Sequence, residues 1–138
     1  MQYWLFKSEP DTWGWHDQTA RGEKGEEWDG VRNYQAWNFM RQMALGDQGF
    51  FYHSQKQKAI VGIVEVIAVS HPDSTSDDSR WECVDIKSLS AVDPPVTLAM
   101  IKKDPRLATM MLVNNPRLSV QPVSAEHWQI ICDMHRGD

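Results

Sequence analysis

The chain has 138 residues, a length that fits one domain with a core of its own. A hydrophobic fraction of 41% and a charged fraction of 24% are ordinary for a globular protein and exclude a disordered or fibrous one. A net charge of −5 excludes a broad basic face that grips duplex phosphates, so any nucleic acid must be held through a local basic patch.

At the amino end, QYWLFKS alternates and is rich in aromatics, the pattern of a strand, which Pro10 and Asp11 stop. DTWGWHDQ predicts a short helical turn capped by Asp11, and TARGEKGEE a polar surface loop. In EEWDGVRNYQAWNFMRQM, residues Ala36, Phe39, Met40 and Met43 recur at i, i+3, i+4 and i+7. They form the buried face of a helix that Gly46 ends in the left-handed position. At about 100° per residue, Tyr34, Trp37 and Arg41 share a sector about 60° wide beside that face, at the edge of the core. GFFYHS reads as a strand with Phe50, Tyr52 and Ser54 on one face and Phe51 and His53 on the other.

QKQK is a polar turn, and AIVGIVEVIAV, apolar on both faces apart from Glu65, predicts a central strand covered on both sides. SHPDSTSDDS reads as a loop, and WECVDIKSLSAV as a strand broken by DPP. VTLAMIKKDPRLATMML predicts two short helical pieces split at Pro105. RLSVQPV is a last strand, and SAEHWQIICDM a closing helix capped by Ser124 with Trp128, Ile131 and Cys132 inward. With no repeat and no linker, the order predicts a single domain over residues 1–138. Its class is α+β: a curved, mostly antiparallel sheet closed into a β-barrel, with short helices packed at the rim.

Much chemistry is excluded. GxGxxG, GxxxxGK[ST] and GxSxG do not occur, and His16, His53, His71, His127 and His135 fall into neither HExxH nor HxE…CxxC. No metal, cofactor or catalytic group is expected. Glu26–Glu27 and Asp77–Asp78 read as solvated acids. Cys83 and Cys132 form no CxxC and are expected as reduced thiols in a cytoplasmic protein. The start MQYWLFKSEP lacks a basic n-region and a long apolar run, so neither a secretory signal nor a membrane span is expected.

What remains unexplained is polar and aromatic richness in KSEP, WDGVRNY and FYHS, in a chain with seven tryptophans. Trp28, Tyr34 and Tyr52 offer flat apolar surfaces; Ser8, Asn33, His53 and Ser54 offer neutral donors and acceptors. A flat heterocycle asks for that combination, stacking on its faces and hydrogen bonds along its edge. Each residue also has a plainer role: Trp28 as core, Asn33 as a helix cap, His53 as a satisfied strand histidine, Ser54 as turn chemistry.

The stretches YWLFKSEP, WDGVRNYQA with MRQMALGD, FFYHS, IVGIVEV, DPPVTLAMIK and RLSVQPV, in that order over nearly the whole chain, resemble the EVE domain. The resemblance implies a PUA-like fold, related to ASCH and YTH domains, and a pocket for a single modified nucleobase. It implies as partner DNA carrying a modified cytosine, or RNA carrying a modified base. A monomer is expected, without metal or membrane. Matched motif by motif, it points to Lys7, Ser8 and Glu9, to Trp28, Asp29, Arg32, Asn33 and Tyr34, and to Tyr52, His53 and Ser54. Trp28 stands where YTH domains place a cage tryptophan. Trp37 replaces the arginine usual after NYQA, with Arg41 one turn on as a substitute, and KAIVGI replaces PGIVGI.

The expected arrangement sets Trp28 and Tyr52 on the faces of the base and Ser8, Asn33, His53 and Ser54 on its edge. Asp29 or Glu9 accepts from an exocyclic amine. Lys7, Arg32, Arg41, Lys56, Lys58 and Arg117 are the candidates for flanking phosphates. Two other readings compete: an enzyme on modified nucleosides with His53 and Glu9 as acid and base, and a protein-interaction module anchored by exposed tryptophans.

Overall fold

The computed structural model describes residues 1–31, 33–55, 57–75, 77, 81–115 and 117–135. Among the described residues five α-helices and six strands are arranged as a mixed α+β fold. The strands are β1 (Tyr3–Ser8), β2 (Glu26–Glu27), β3 (Gln48–His53), β4 (Ala59–Pro72), β5 (Glu82–Thr97) and β6 (Val120–Val123). The helices are α1 (Trp15–Ala20), α2 (Tyr34–Gln42), α3 (Leu98–Lys103), α4 (Met111–Asn114) and α5 (Ala125–His135).

The sheet order is β2-β5-β4-β3-β1-β6. Among the described residues only the β1–β3 pair is parallel; the other four are antiparallel. Both faces carry core side chains, which is why Trp4, Leu5 and Phe6 of β1 and Phe50, Phe51 and Tyr52 of β3 are buried in succession. Trp4 and Phe6 of β1, Phe51 of β3, Val64 and Val66 of β4, and Val84 and Ile86 of β5 pack on one face with Ala36 and Met40 of α2. Leu5, Phe50, Tyr52, Ile60 and Val96 pack on the other, with Ile101, Trp128 and Ile131 from α3 and α5. The change of face between Leu5 and Phe6, and between Phe50 and Phe51, is the period-two alternation of a strand.

The sheet does not close into the predicted barrel. Among the described residues its edges, β2 and β6, pair only with β5 and β1. β2 holds two residues in the ladder and β6 four, and such short edges leave no ladder to join. Curvature comes instead from register shifts between β3 and β4 and along β4–β5.

Other elements also depart from expectation. The DPP sequence does not break β5. Pairing jumps from Gly62↔Ala91 to Ile60↔Val96, so the prolines lie in a bulge where no ladder N–H is required. The strand after Val69 continues through Pro72, in sequence expected to be loop. Asp11 does not cap α1: Gly14 stands at the cap, and its N–H donates to Asp17 Oδ2 at 2.8 Å. α2 ends at Gln42, and Gly46, with φ +88°, serves the following turn and not the helix end. The polar TARGEKGEE holds the end of α1, a 3-10 turn at Gly22–Lys24, and β2. Pro105 opens a further 3-10 turn, Pro105–Leu107, between α3 and α4.

Ser124 caps α5, accepting from His127 N at 3.1 Å, with Trp128, Ile131 and Cys132 buried. Cys83 and Cys132 are both buried and are not joined in a disulfide. Among the described residues no helix is long and apolar enough to cross a membrane.

Candidate functional site

A cleft of about 650 Å³ opens where β1 ends and β2 leaves the sheet. Lys7 and Ser8 of β1, the turn at Glu9, Thr12 and Trp13, the segment from Glu26 to Val31, Asn33 and Ser119 line it. Local bonding explains how these pieces meet. Thr12 N and Trp13 N donate to the Glu9 carbonyl at 3.0 and 2.9 Å, folding the chain back after β1. The Ser8 hydroxyl donates to the Trp13 carbonyl. Trp13 Nε1 donates to the buried Gln18 Oε1 at 3.0 Å, and Gln18 Nε2 reaches the Ile86 carbonyl at 3.1 Å. On the opposite side Trp28 N donates to the Val84 carbonyl at 2.8 Å, and Gly30 N to Asp73 Oδ2 at 2.9 Å.

Six of the residues singled out in the sequence, Lys7, Ser8, Glu9, Trp28, Asp29 and Asn33, line this cleft. Trp28 is also core: it is 8% exposed, and its ring meets Phe6 at 5.3 Å and Phe51 at 5.7 Å edge-on. Asn33 is also the cap of α2, its Oδ1 accepting from Ala36 N at 2.9 Å. Lys7 borders the cleft while its ammonium lies 5.9 Å from the Tyr52 ring centroid. Burial pulls its pKa below the ordinary lysine value.

Four other candidates stand apart from the cleft lining. Tyr52 is 3% exposed and belongs to the opposite core, where burial raises its phenol pKa. His53 Nε2 accepts from Trp15 N at 2.9 Å and its Nδ1 lies 2.8 Å from Gln57 Oε1, so both ring nitrogens are engaged within the fold. Ser54 bonds to the Ser8 carbonyl through both N, at 2.9 Å, and Oγ, at 3.3 Å. Tyr34 is 57% exposed on α2, in an aromatic group with Trp81 at 5.1 Å and Trp37 at 6.1 Å.

Of the proposed phosphate contacts, Arg32 and Lys56 fall outside the described residues. Arg41 lies over the Trp37 ring at 4.8 Å and 3.9 Å from Glu82. Lys58 and Arg117 are exposed on turns away from the lining.

The sequence reading missed Thr12, Trp13, Glu26, Glu27, Gly30, Val31 and Ser119 in the lining. Trp13 carried a signal, as one of many tryptophans in a short chain; Ser119 lies too far along the chain to carry any. The omission matters for charge. Among the described residues the lining holds four carboxylates, Glu9, Glu26, Glu27 and Asp29, and the ammonium of Lys7. Such a field repels phosphate and favours a ligand that presents N–H donors. Glu27 is ionised despite partial burial: Ser74 N and Oγ donate to its Oε1 at 3.0 and 2.8 Å and hold its pKa below the ordinary value.

Glu27 belongs to a second group as well. The scattered histidines predicted no metal centre, yet one ligand atom each of Glu27, His71 and Cys83 lies within 4.8 Å of the others.

The EVE domain model matches residues 2–134. The chain belongs to the EVE domain family. It is similar to protein Atu2648 from Agrobacterium tumefaciens, at 54% identity and a TM-score of 0.96 over 98% of this chain and 93% of that one. It is similar to human THYN1, solved in complex with DNA containing 5-methylcytosine, at 30% identity and a TM-score of 0.90 over 100% of this chain and 99% of that one. The YTH domain of Zygosaccharomyces rouxii MRB1 shares the fold at 14% identity and a TM-score of 0.61, over 98% of this chain and 86% of that one.

Proposed function

We propose that this EVE domain binds nucleic acid by admitting one modified base, a 5-methylcytosine in DNA in the first instance, into the acidic cleft. The likeness to human THYN1 over the full chain, in a complex with 5-methylcytosine DNA, carries the reading. The chemistry of the cleft supports it. Cytosine presents an exocyclic N4 amine, which carboxylates accept well, and Glu9 and Asp29 both border the space. Trp13 and Trp28 supply indole surface on its walls. Stacking one base contributes about 1–3 kcal/mol, set against a few kcal/mol for drawing the base from its stack, so single-stranded or distorted sites are preferred. Phosphates stay outside, met by cations such as Arg41, Lys58 and Arg117. Burying one methyl group contributes about 0.8 kcal/mol, which corresponds to an affinity ratio of about fourfold.

The test is a fluorescence titration with oligonucleotides that differ only in the 5-methyl group. About fourfold tighter binding of the methylated strand is expected, and Asp29→Asn, at an exposed site, is expected to weaken binding at least about tenfold by removing a charged acceptor. Equal affinity for both strands, unaltered by Asp29→Asn, overturns the reading.

A further inference from the structure

The geometry points to a binding site for a divalent transition-metal ion of the zinc type, formed by Glu27, His71 and Cys83 with Asp85 beside them. Three adjacent strands deliver these groups. Glu27 of β2 sits opposite Asp85 of β5, and His71 of β4 opposite Cys83 of β5. Cys83 and Asp85 alternate with Val84 and Ile86, which face the core, so both project from the other side of β5. One ligand atom each of Glu27, His71 and Cys83 lies within 4.8 Å of the others, and His71 Nε2 stands 2.8 Å from Asp85 Oδ1. A tetrahedral zinc site, with bonds of about 2.0–2.3 Å, sets its ligand atoms about 3.5 Å apart. The group therefore closes on an ion by side-chain movements of about 1 Å or less.

Charge favours the same occupant. Like charges directly opposite on neighbouring strands repel, and Glu27 and Asp85 are such a pair. A divalent ion neutralises that repulsion, and coordination removes the Cys83 thiol proton outright.

The donor types decide which ion. Thiolate and imidazole beside carboxylate suit zinc or cobalt, whereas calcium and magnesium take oxygen alone. Supporting contacts aim the ligands. His71 Nδ1 lies 3.1 Å from the Pro72 carbonyl, which fixes the ring with Nε2 toward the group. Ser74 N and Oγ hold Glu27 Oε1, and the Cys83 side chain is hydrogen-bonded to the same carboxylate. An ion here fastens β2, two residues long, to β4 and β5, and the next residue is Trp28 in the cleft wall.

This inference does not depend on the nucleic-acid reading. Its test is titration of the chelator-treated full chain with Co²⁺ followed by Zn²⁺. Saturation at one equivalent is expected, with a thiolate-to-cobalt charge-transfer band that Zn²⁺ displaces. Cys83→Ser is expected to abolish the band and Cys132→Ser to retain it. His71→Gln, at a half-exposed site, is expected to weaken Co²⁺ affinity at least about tenfold. Absence of saturable binding, a band that survives Cys83→Ser, or an affinity indifferent to His71→Gln overturns the proposal.

Discussion

Trp28 serves two structures at once. Its ring fills the space between Phe6 and Phe51, and it borders the cleft. Trp28→Ala is therefore expected to lower stability by about 3–5 kcal/mol, read as a shift in the urea midpoint. A loss of that size approaches the whole stability of a small domain and would mask any effect on base selectivity. Asp29, next along the chain and exposed, helps to separate the two roles: Asp29→Asn is expected to cost less stability than Trp28→Ala in the same measurement. The residue types of the cleft were thus legible in WDGVRNY, but their division of labour was not. Asn33 reads equally as cap and as base contact in the sequence, and it both caps α2 and borders the cleft. His53 and Ser54 read as pocket residues because histidine and serine at a strand end are unexplained until their partners, Trp15 N and the Ser8 carbonyl, are visible.

At the scale of elements, β2 is the least legible and the most consequential. It lies within a polar, glycine-containing stretch whose local signals are those of a loop, and two residues in a ladder leave no periodicity. Gly25 brings it to β5. Its φ of +69° suits glycine, and an added Cβ would stand 2.5 Å from the Ile86 carbonyl oxygen. Gly25→Ala is expected to strain the backbone by about 1–3 kcal/mol, visible as a lower melting temperature. Because β2 leads into Trp28 and Asp29, oligonucleotide affinity is expected to fall in the same variant. The long, strongly patterned elements behave otherwise. β1, β3, α2 and α5 stand close to where alternation and helical spacing predict them, since each buries a full face. DPP misled because proline forbids a ladder bond without forbidding a bulge.

For the whole molecule, charge sets the mode of binding. With a net charge of −5 and an acidic cleft, few phosphates can be neutralised. Each contact to a single strand contributes a slope of about −0.7 in log affinity against log salt. A total slope no steeper than about −2 is expected between about 50 and 200 mM salt, measured by fluorescence titration. A markedly steeper slope would place the grip on the backbone and contradict entry of a base into the acidic cleft. The open sheet fits this economy: the chain leaves β2 to wall the cleft and does not continue as a strand toward β6.

What the sequence alone determined is what depends on near neighbours: strands and helices with a strong period, the absence of nucleotide-loop and hydrolase motifs, and the family motifs. What only the tertiary structure decided depends on residues distant along the chain. The open sheet, the approach of Ser119 to Trp28, the burial of Tyr52 on the opposite face, and the meeting of Glu27 with His71 and Cys83 all belong there. Strand pairing brings such groups together across 40 residues or more, as with Glu27 and His71, and a one-dimensional pattern carries no trace of a contact made at that separation.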